Sequence, residues 1–286
     1  MAKQFPGKVA LITGSSNGIG RGIAAYFAKQ GCKVTVTGRS QEALDETKKE
    51  CVAGGAAEGD VLSIAGNLGE ESFMDRLVDE TVAKFGKIDF LINNAGVGDA
   101  DRAGKIPGFF TQDMDSYDYI MKINSRCIVY LTRKAAPHLE KSKGAIVNVG
   151  SIAYSEVQGC SFTFYAMSKA CVDALTRSLG LEMIRRGVRV NAIKPGAVNT
   201  TLMQKQGIDQ GTAEKINDGL ASRFEMIPAG FIAEPEDVAR LAAFLCDHTQ
   251  SRYMIGQCIR LDGGTSLVSP LMLGDFVKDD IPVGEK

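Results

Sequence analysis

Tyr165 and Lys169 are the residues whose types and spacing most directly allow chemistry. In Tyr165-Ala166-Met167-Ser168-Lys169 the phenol and the amine stand four apart, on one face of a helix. A phenol keeps its proton up to about pH 10 in water and is a poor acceptor at neutrality. An ammonium beside it favours the phenolate, and the pair becomes an acid or base suited to neutral pH. A tyrosine and a lysine four apart also arise by chance, so position decides, and this pair follows the fifth of a series of apolar runs. Ser151 lies just past that same run, where a hydroxyl either donates to a substrate oxygen or caps a turn. Asn124 falls inside a helical stretch, where asparagine either serves the site or bonds nearby backbone.

A second motif supplies a place for a ligand. Thr13-Gly14-Ser15-Ser16-Asn17-Gly18-Ile19-Gly20 follows the first apolar run and opens a helix. Gly14 permits a tight turn, Gly18 lets backbone approach a pyrophosphate, and Gly20 lets the helix pack closely. The unpaired N–H groups at the helix start then face phosphate. Strand, loop and helix together predict dinucleotide binding through Gly14, Ser16, Asn17, Gly18, Ile19 and Gly20. Val36-Thr37-Gly38-Arg39-Ser40 closes the second run without the carboxylate that would hold a ribose 2′-hydroxyl. The forked, permanently charged Arg39 suits a 2′-phosphate, so NADP(H) is expected over NAD(H), with NAD(H) still possible.

These residues must be positioned by alternating strands and helices. Val- and Ile-rich runs predict strands at Val9–Thr13, Lys33–Thr37, Val61–Ala65, Ile88–Asn93, Ala145–Val149, Val188–Ile193 and Cys258–Leu261. Amphipathic stretches between them predict helices at Gly20–Gln30, Gln41–Val52, Glu70–Phe85, Ser116–Leu139, Tyr165–Arg186 and Glu236–Cys246. The expected fold is α/β: a single Rossmann-type doubly wound domain with a seven-stranded parallel sheet, flanked by helices on both faces. It would span residues 1–268, include a substrate loop at about 198–234, and leave 269–286 as a tail. The segments Gly98–Asp115 and Thr200–Glu234 interrupt the rhythm after strand carboxyl ends, beside the expected crevice. The tail carries Leu271, Met272, Leu273, Phe276 and Val277, which suggests docking onto its own body or a neighbouring subunit.

Composition excludes several classes. With 44% apolar and 23% charged residues and a net charge of −1, the chain has no electrostatic footprint for nucleic acid or an anionic membrane. No stretch approaches the roughly twenty apolar residues of a membrane span, and a soluble cytoplasmic protein is expected. Cys32, Cys51, Cys127, Cys160, Cys171, Cys246 and Cys258 are scattered singly and read as reduced thiols filling core gaps. His138 and His248, read as surface residues, have no second ligand nearby, so no catalytic zinc is expected.

Taken together the motifs resemble the short-chain dehydrogenase/reductase family, from Lys8 to about Leu267. The resemblance rests on the loop at 13–20, Asn93-Asn94-Ala95-Gly96, Asn124, Ser151, Tyr165 with Lys169, Pro195-Gly196 with Thr200, and Asp262-Gly263-Gly264. It implies that Tyr165 gives its proton to a carbonyl oxygen held by Ser151, and that Lys169 binds the nicotinamide ribose and lowers the phenol's proton affinity. Asn124 would position a water linking Lys169 to solvent. Asn94, Ala95 and Gly96 would line the adenosine and ribose side, Asn67 and Leu68 the adenine. Pro195, Gly196, Val198 and Thr200 would hold the carboxamide. A small-molecule carbonyl or alcohol substrate and a homo-tetramer or homo-dimer, through helices 116–139 and 165–186, are also implied.

The chain departs from the pattern at Asn67, where an aspartate is common, and at Gly150, where a second serine is frequent. The stretch from Ser151 to Tyr165 is also one residue longer than usual. The texture around Val36 to Arg39 and the long post-strand insertions resembles tropinone reductase-like or glucose dehydrogenase-like members. Ala153, Val157, Phe162, Leu202, Met203, Met226, Ile227 and Phe231 would offer an apolar substrate pocket, although core or subunit packing would use the same residue types. A silent dinucleotide sensor of the same fold would be expected to lose Tyr165 or Lys169. An epimerase or dehydratase relative would need a longer substrate domain.

Overall fold

A computed structural model describes residues 3–98, 108–153, 163–200 and 209–268. Seven parallel strands form one sheet: β1 (Val9–Ile12), β2 (Lys33–Gly38), β3 (Val61–Ala65), β4 (Phe90–Asn93), β5 (Ala145–Val149), β6 (Arg189–Pro195) and β7 (Cys258–Leu261). Their spatial order is β3-β2-β1-β4-β5-β6-β7. The order reverses between β1 and β4, which opens a crevice at their carboxyl ends. Strand boundaries agree with the sequence expectation to within two residues. Runs of β-branched residues buried on both faces leave little alternative for the chain.

Helices α1 (Gly18–Lys29), α2 (Gln41–Ala53) and α8 (Pro235–Cys246) cover one face, where Phe27, Ile23, Leu44 and Val238 pack onto Ile12, Val34 and Phe90. On the other face, α3 (Glu71–Phe85), α5 (Cys127–Ser142) and α6 (Thr163–Met183) bring Leu77, Leu131 and Val172 onto Leu11, Leu91 and Ile146. Among the described residues no helix is long and apolar enough to cross a membrane, and no cluster of His, Cys, Asp and Glu could hold a metal.

Two expectations are corrected. The single helix predicted over Ser116–Leu139 is α4 (Met114–Met121), a π turn (Lys122–Arg126) and α5 in succession. Within the turn, the Cys127 N–H donates to the Lys122 carbonyl five residues back. The mixed segment at 200–234 contains α7 (Gln210–Ala221), capped by the Asp209 carboxylate accepting from the Thr212 N–H at 3.0 Å. Only Ala213 of that helix is buried, so it carried no apolar stripe to read. Cys32, Cys51, Cys127 and Cys246 are buried as expected, whereas Cys171 is exposed and Cys258 half-buried. Cys160 and the tail's apolar residues lie outside the described residues.

At the amino edge of the sheet Asp89 joins β1 to β4. Its buried carboxylate accepts from the Val9 N–H and pairs with Lys8 and Lys87, each at 2.9 Å. Both lysines are half-exposed, so the main cost of losing Asp89 is the orphaned Val9 donor. Asp89→Ala should lower the unfolding free energy by about 1–3 kcal/mol. Urea denaturation should show this as a reduced midpoint, with dinucleotide affinity unchanged because the crevice lies at the opposite edge.

Candidate active site

The glycine loop meets the end of β4 at distances only glycine permits. Gly14 has φ +64°, and a Cβ there would lie 2.7 Å from the Ala95 Cα. A Cβ on Gly20 would run into the Gly14 carbonyl oxygen and lie 2.5 Å from Asn94 Nδ2. Polar contacts lock this arrangement. Thr13 Oγ1 accepts from the Asn94 and Ala95 N–H groups, each at 3.0 Å. Asn94 Nδ2 donates to the Thr13 and Gly14 carbonyls at 2.9 and 3.1 Å. Asn94 therefore shapes the loop with both amide hydrogens while its backbone lines the crevice.

Three further residues hold the loop, and the sequence did not point to their roles. Ser15 Oγ donates to the Ile12 carbonyl and accepts from the Thr37 N–H, both at 2.8 Å. Arg21 donates to the Ser16 carbonyl at 2.6 Å and to Thr47 Oγ1 at 3.1 Å, and Thr47 donates to the Ser15 carbonyl at 2.9 Å. The bonds to Thr37 and Thr47 join segments 22 to 32 residues apart, a separation that local patterning does not register.

One cleft runs from this loop across the sheet edge. It is lined by Gly14, Ser16, Asn17, Gly18, Ile19, Gly20 and Arg39 on one side and by Ser151, Tyr165, Lys169, Pro195, Gly196, Val198 and Thr200 on the other. Asn67, Leu68, Asn94, Ala95 and Gly96 lie between them. Arg39 is exposed at the end of β2, its Nη1 donating to the Tyr119 hydroxyl at 3.4 Å. Tyr119 on α4 and Asn217 on α7 line the cleft too; neither stands in a recognisable motif. Among the described lining residues the charged ones are the cations Arg39 and Lys169. A donor-rich loop, two cations and a floor of glycines fit an anionic dinucleotide.

Helix α6 carries Tyr165 and Lys169 on one face. Lys169 is buried; its Nζ donates to the Val149 carbonyl at 2.9 Å and lies 5.6 Å from the centroid of the Tyr165 ring. Burial pulls its ammonium down to about 8. Asn124, in the π turn, is fully buried. Its Oδ1 accepts from the Val97 N–H and its Nδ2 donates to the Val97 carbonyl, both at 2.8 Å, with a further bond to Ser168 Oγ at 3.0 Å. Asn124 therefore sits behind the cleft wall and clamps the chain after β4. Gly96 faces both groups: a Cβ there would lie 3.4 Å from Lys169 Nζ and 3.5 Å from Asn124 Oδ1.

Ser151 follows β5, its Oγ accepting from the Ala153 N–H at 3.1 Å. The Pro195 carbonyl accepts from the Ile152 N–H at 3.2 Å, and the Gly196 N–H donates to the Leu261 carbonyl at 2.9 Å. A Cβ on Gly196 would lie 2.9 Å from the Asp262 Cα, which ties the cleft wall to Asp262-Gly263-Gly264. Of the apolar positions offered for a substrate, the described ones, Ala153, Met226, Ile227 and Phe231, are not among the residues lining this cleft. Met226 and Phe231 are exposed, and Ile227 is buried beside Gly263. Val157, Phe162, Leu202 and Met203 lie outside the described residues.

Comparison with known proteins agrees with this arrangement. Residues 14–266 match a family model described as Enoyl-(Acyl carrier protein) reductase. The chain is 32% identical over 283 residues to 3beta-hydroxysteroid dehydrogenase 1 of Eggerthella lenta, covering 96% of this chain and 99% of that protein. It is 33% identical over 262 residues to a 3-oxoacyl-(acyl-carrier-protein) reductase of Thermotoga maritima, covering 91% and 98%. Among solved structures, a short-chain dehydrogenase/reductase of unknown function from Caenorhabditis elegans, determined with cofactor, superposes with a TM-score of 0.91 at 40% identity, covering 94% of this chain and 98% of that one. The apo-form glucose dehydrogenase of Caenorhabditis elegans superposes with a TM-score of 0.79 at 39% identity, covering 93% and 100%.

Two outcomes follow from the geometry. Gly20→Ala should abolish dinucleotide binding, because the clash is with backbone that cannot move without opening the loop; fluorescence titration with NADPH and NADH reads the loss. Lys169→Met should stabilise the ligand-free protein at pH 7, by at most about 3 kcal/mol less the cost of orphaning the Val149 carbonyl, since a buried ammonium is removed. The sign follows from protons bound. Between about pH 8 and the ordinary lysine range the unfolded chain binds the proton and the folded one does not, so wild-type stability from this group rises with pH. The advantage of Lys169→Met should therefore shrink by pH 10, as measured by thermal melts of both proteins across that range.

Proposed function

Because the chain belongs to the short-chain dehydrogenase/reductase family, we propose that it is an NADP(H)-dependent oxidoreductase of a small apolar carbonyl or secondary alcohol. The observation that carries the NADP(H) reading is the charge of the cleft: Arg39 stands at the end of β2, and no carboxylate is among the described lining residues. A ribose 2′-phosphate would meet a guanidinium and the Tyr119 hydroxyl, with no acidic group to repel it.

A bound nicotinamide supplies the hydride for reduction or accepts it in oxidation. The protein's own part is positioning and proton transfer. Tyr165 gives its proton to the carbonyl oxygen as the hydride reaches the carbonyl carbon, yielding an alcohol and a phenolate. Ser151 holds that oxygen by a hydrogen bond. Lys169 stabilises the phenolate by its charge and offers hydrogens to the ribose hydroxyls. Reprotonation of the tyrosine would run through Lys169, whose Nζ stands beside Gly96. Pro195, Gly196, Val198 and Thr200 line the cleft and would hold the carboxamide of a bound nicotinamide.

Retention of both Tyr165 and Lys169 favours an enzyme over a silent sensor. The apolar substrate reading draws on relatives named for steroid and acyl substrates. We also infer a homo-dimer or homo-tetramer, because Val129 on α5 and Met167 and Leu181 on α6 expose apolar side chains on the helices expected to pair.

Titration with NADPH and NADH, followed by a panel of ring ketones, steroids and lipid-derived carbonyls, tests the reading. NADPH should bind more tightly, and Arg39→Ala should weaken it about tenfold or more while leaving NADH nearly unchanged. Tyr165→Phe should lower kcat by about 10²–10⁴ with dinucleotide affinity retained. Equal affinity for the two dinucleotides, unchanged in Arg39→Ala, would sink the NADP(H) assignment.

A further inference from the structure

Beneath the reacting groups lies a buried ion pair that the proposed chemistry does not use. Asp173 stands one helical turn beyond Lys169 and two beyond Tyr165, on the same face of α6. Its Oδ2 lies 3.4 Å from Nζ of Lys194 on β6, and the two side chains are 8% and 4% exposed. Its Oδ1 is buried and has no hydrogen-bond partner among the described residues. That oxygen faces Gly150: a Cβ on Gly150 would lie 3.4 Å from Oδ1, 3.5 Å from the Ile193 carbonyl and 3.5 Å from Lys194 Cγ.

The location is what separates this pair from an ordinary core feature. The backbone ladder between β5 and β6 continues past the strands here, with the Gly150 N–H donating to the Ile193 carbonyl at 2.8 Å and the Ile152 N–H to the Pro195 carbonyl at 3.2 Å. Ser151 lies between those two rungs, Pro195 opens the carboxamide wall, and α6 carries Tyr165. The pair thus sits where the three elements bearing the hydroxyl donor, the nicotinamide wall and the acid meet. Burying two charges gains little stability over apolar residues of the same size, so its consequence is better sought in geometry.

We propose that Asp173 and Lys194 are positioning residues that set the distance between the Ser151–Tyr165 pair and the nicotinamide wall, and that Asp173 Oδ1 is a vacant acceptor beneath residue 150. The proposal rests on the hydride-transfer reading above. Loss of the pair should slow the chemical step and leave the dinucleotide, held chiefly at the glycine loop, bound as before.

The experiment compares Asp173→Asn and the double variant Asp173→Leu/Lys194→Met with wild type. Asp173→Asn leaves Lys194 charged and buried, so the apolar double variant guards against loss of folding. With dinucleotide saturating and protein corrected for folded fraction, kcat should fall about ten- to a hundredfold in both, as expected for misplacement on the ångström scale. Kd for NADPH should stay within about twofold of wild type, a change of under half a kcal/mol. The primary isotope effect with dinucleotide deuterated at C4 should rise, a readout that mere loss of stability does not move.

A second arm needs no substrate. Gly150→Ser should raise the melting temperature by a few degrees through a bond to Oδ1, and this gain should vanish in the double-variant background. A folded double variant with wild-type kcat and isotope effect overturns the positioning role. A Gly150→Ser gain that persists without Asp173 overturns the vacant acceptor. Wild type without turnover on the whole carbonyl panel counts against the reaction reading itself, and the thermal arm then still decides the acceptor.

Discussion

The closeness of the glycine loop to the end of β4 is the constraint on which the rest of the structure depends. Gly14 and Ala95 stand so near that a methyl group would not fit between them, and Gly20 packs on the carbonyl of Gly14 itself. Such an approach needs backbone without side chains and donors that are otherwise satisfied. Thr13 and Asn94 provide the second condition, because the two residues exchange side-chain and main-chain bonds across the switch point. The helix start is thereby brought to the cleft, which Gly18, Ile19 and Gly20 line, and a first helical turn favours an anion there.

Charge is distributed to match. At the amino edge of the sheet the buried Asp89 carboxylate has two lysines and a backbone donor, and the Arg189 guanidinium donates through Nη1 to the Ser251 carbonyl and hydroxyl at 3.1 Å, its Nη2 having no partner among the described residues. At the carboxyl edge, Lys169 and Arg39 line the cleft without a lining carboxylate among the described residues. A parallel sheet permits this division because every strand ends on the same side, so one edge serves stability and the other is left for a ligand.

The strands were legible because apolar runs bounded by turn residues admit one interpretation in a βα repeat. The cleft was legible where a motif coincided with a strand end, as at Gly14, Gly18, Gly20, Ser151 and Pro195. Features without periodicity were not. The π turn at Lys122–Arg126 follows from one hydrogen bond of changed register inside an otherwise helical pattern. Helix α7 buries one residue and is announced only by its Asp209 cap. Tyr119 reaches the cleft from α4, the turn's amino-side neighbour, and Asn217 from α7. Asn93 shows the limit of a motif: its amide donates to Asn148 Oδ1 at 2.9 Å, deep between β4 and β5, so the first asparagine of Asn93-Asn94-Ala95-Gly96 is a core residue.

Lys169 joins the two themes. Among the described residues one carbonyl, that of Val149, accepts from this buried ammonium, which is held in the charged form at a cost. On the proposed reading, a ribose offering hydroxyl oxygens to the same nitrogen would return part of its lost hydration. Binding would then be coupled to relief of that cost, and the ligand would stabilise the folded chain beyond the contacts it makes elsewhere. The same cost explains why the cation is placed on α6 rather than on a loop: a helix packed against β5 and β6 resists the displacement by which a lysine on a mobile segment would escape to water. The residue proposed to make the site reactive is also one whose burial costs the unliganded protein stability, and the rigidity of the sheet edge is what keeps it there.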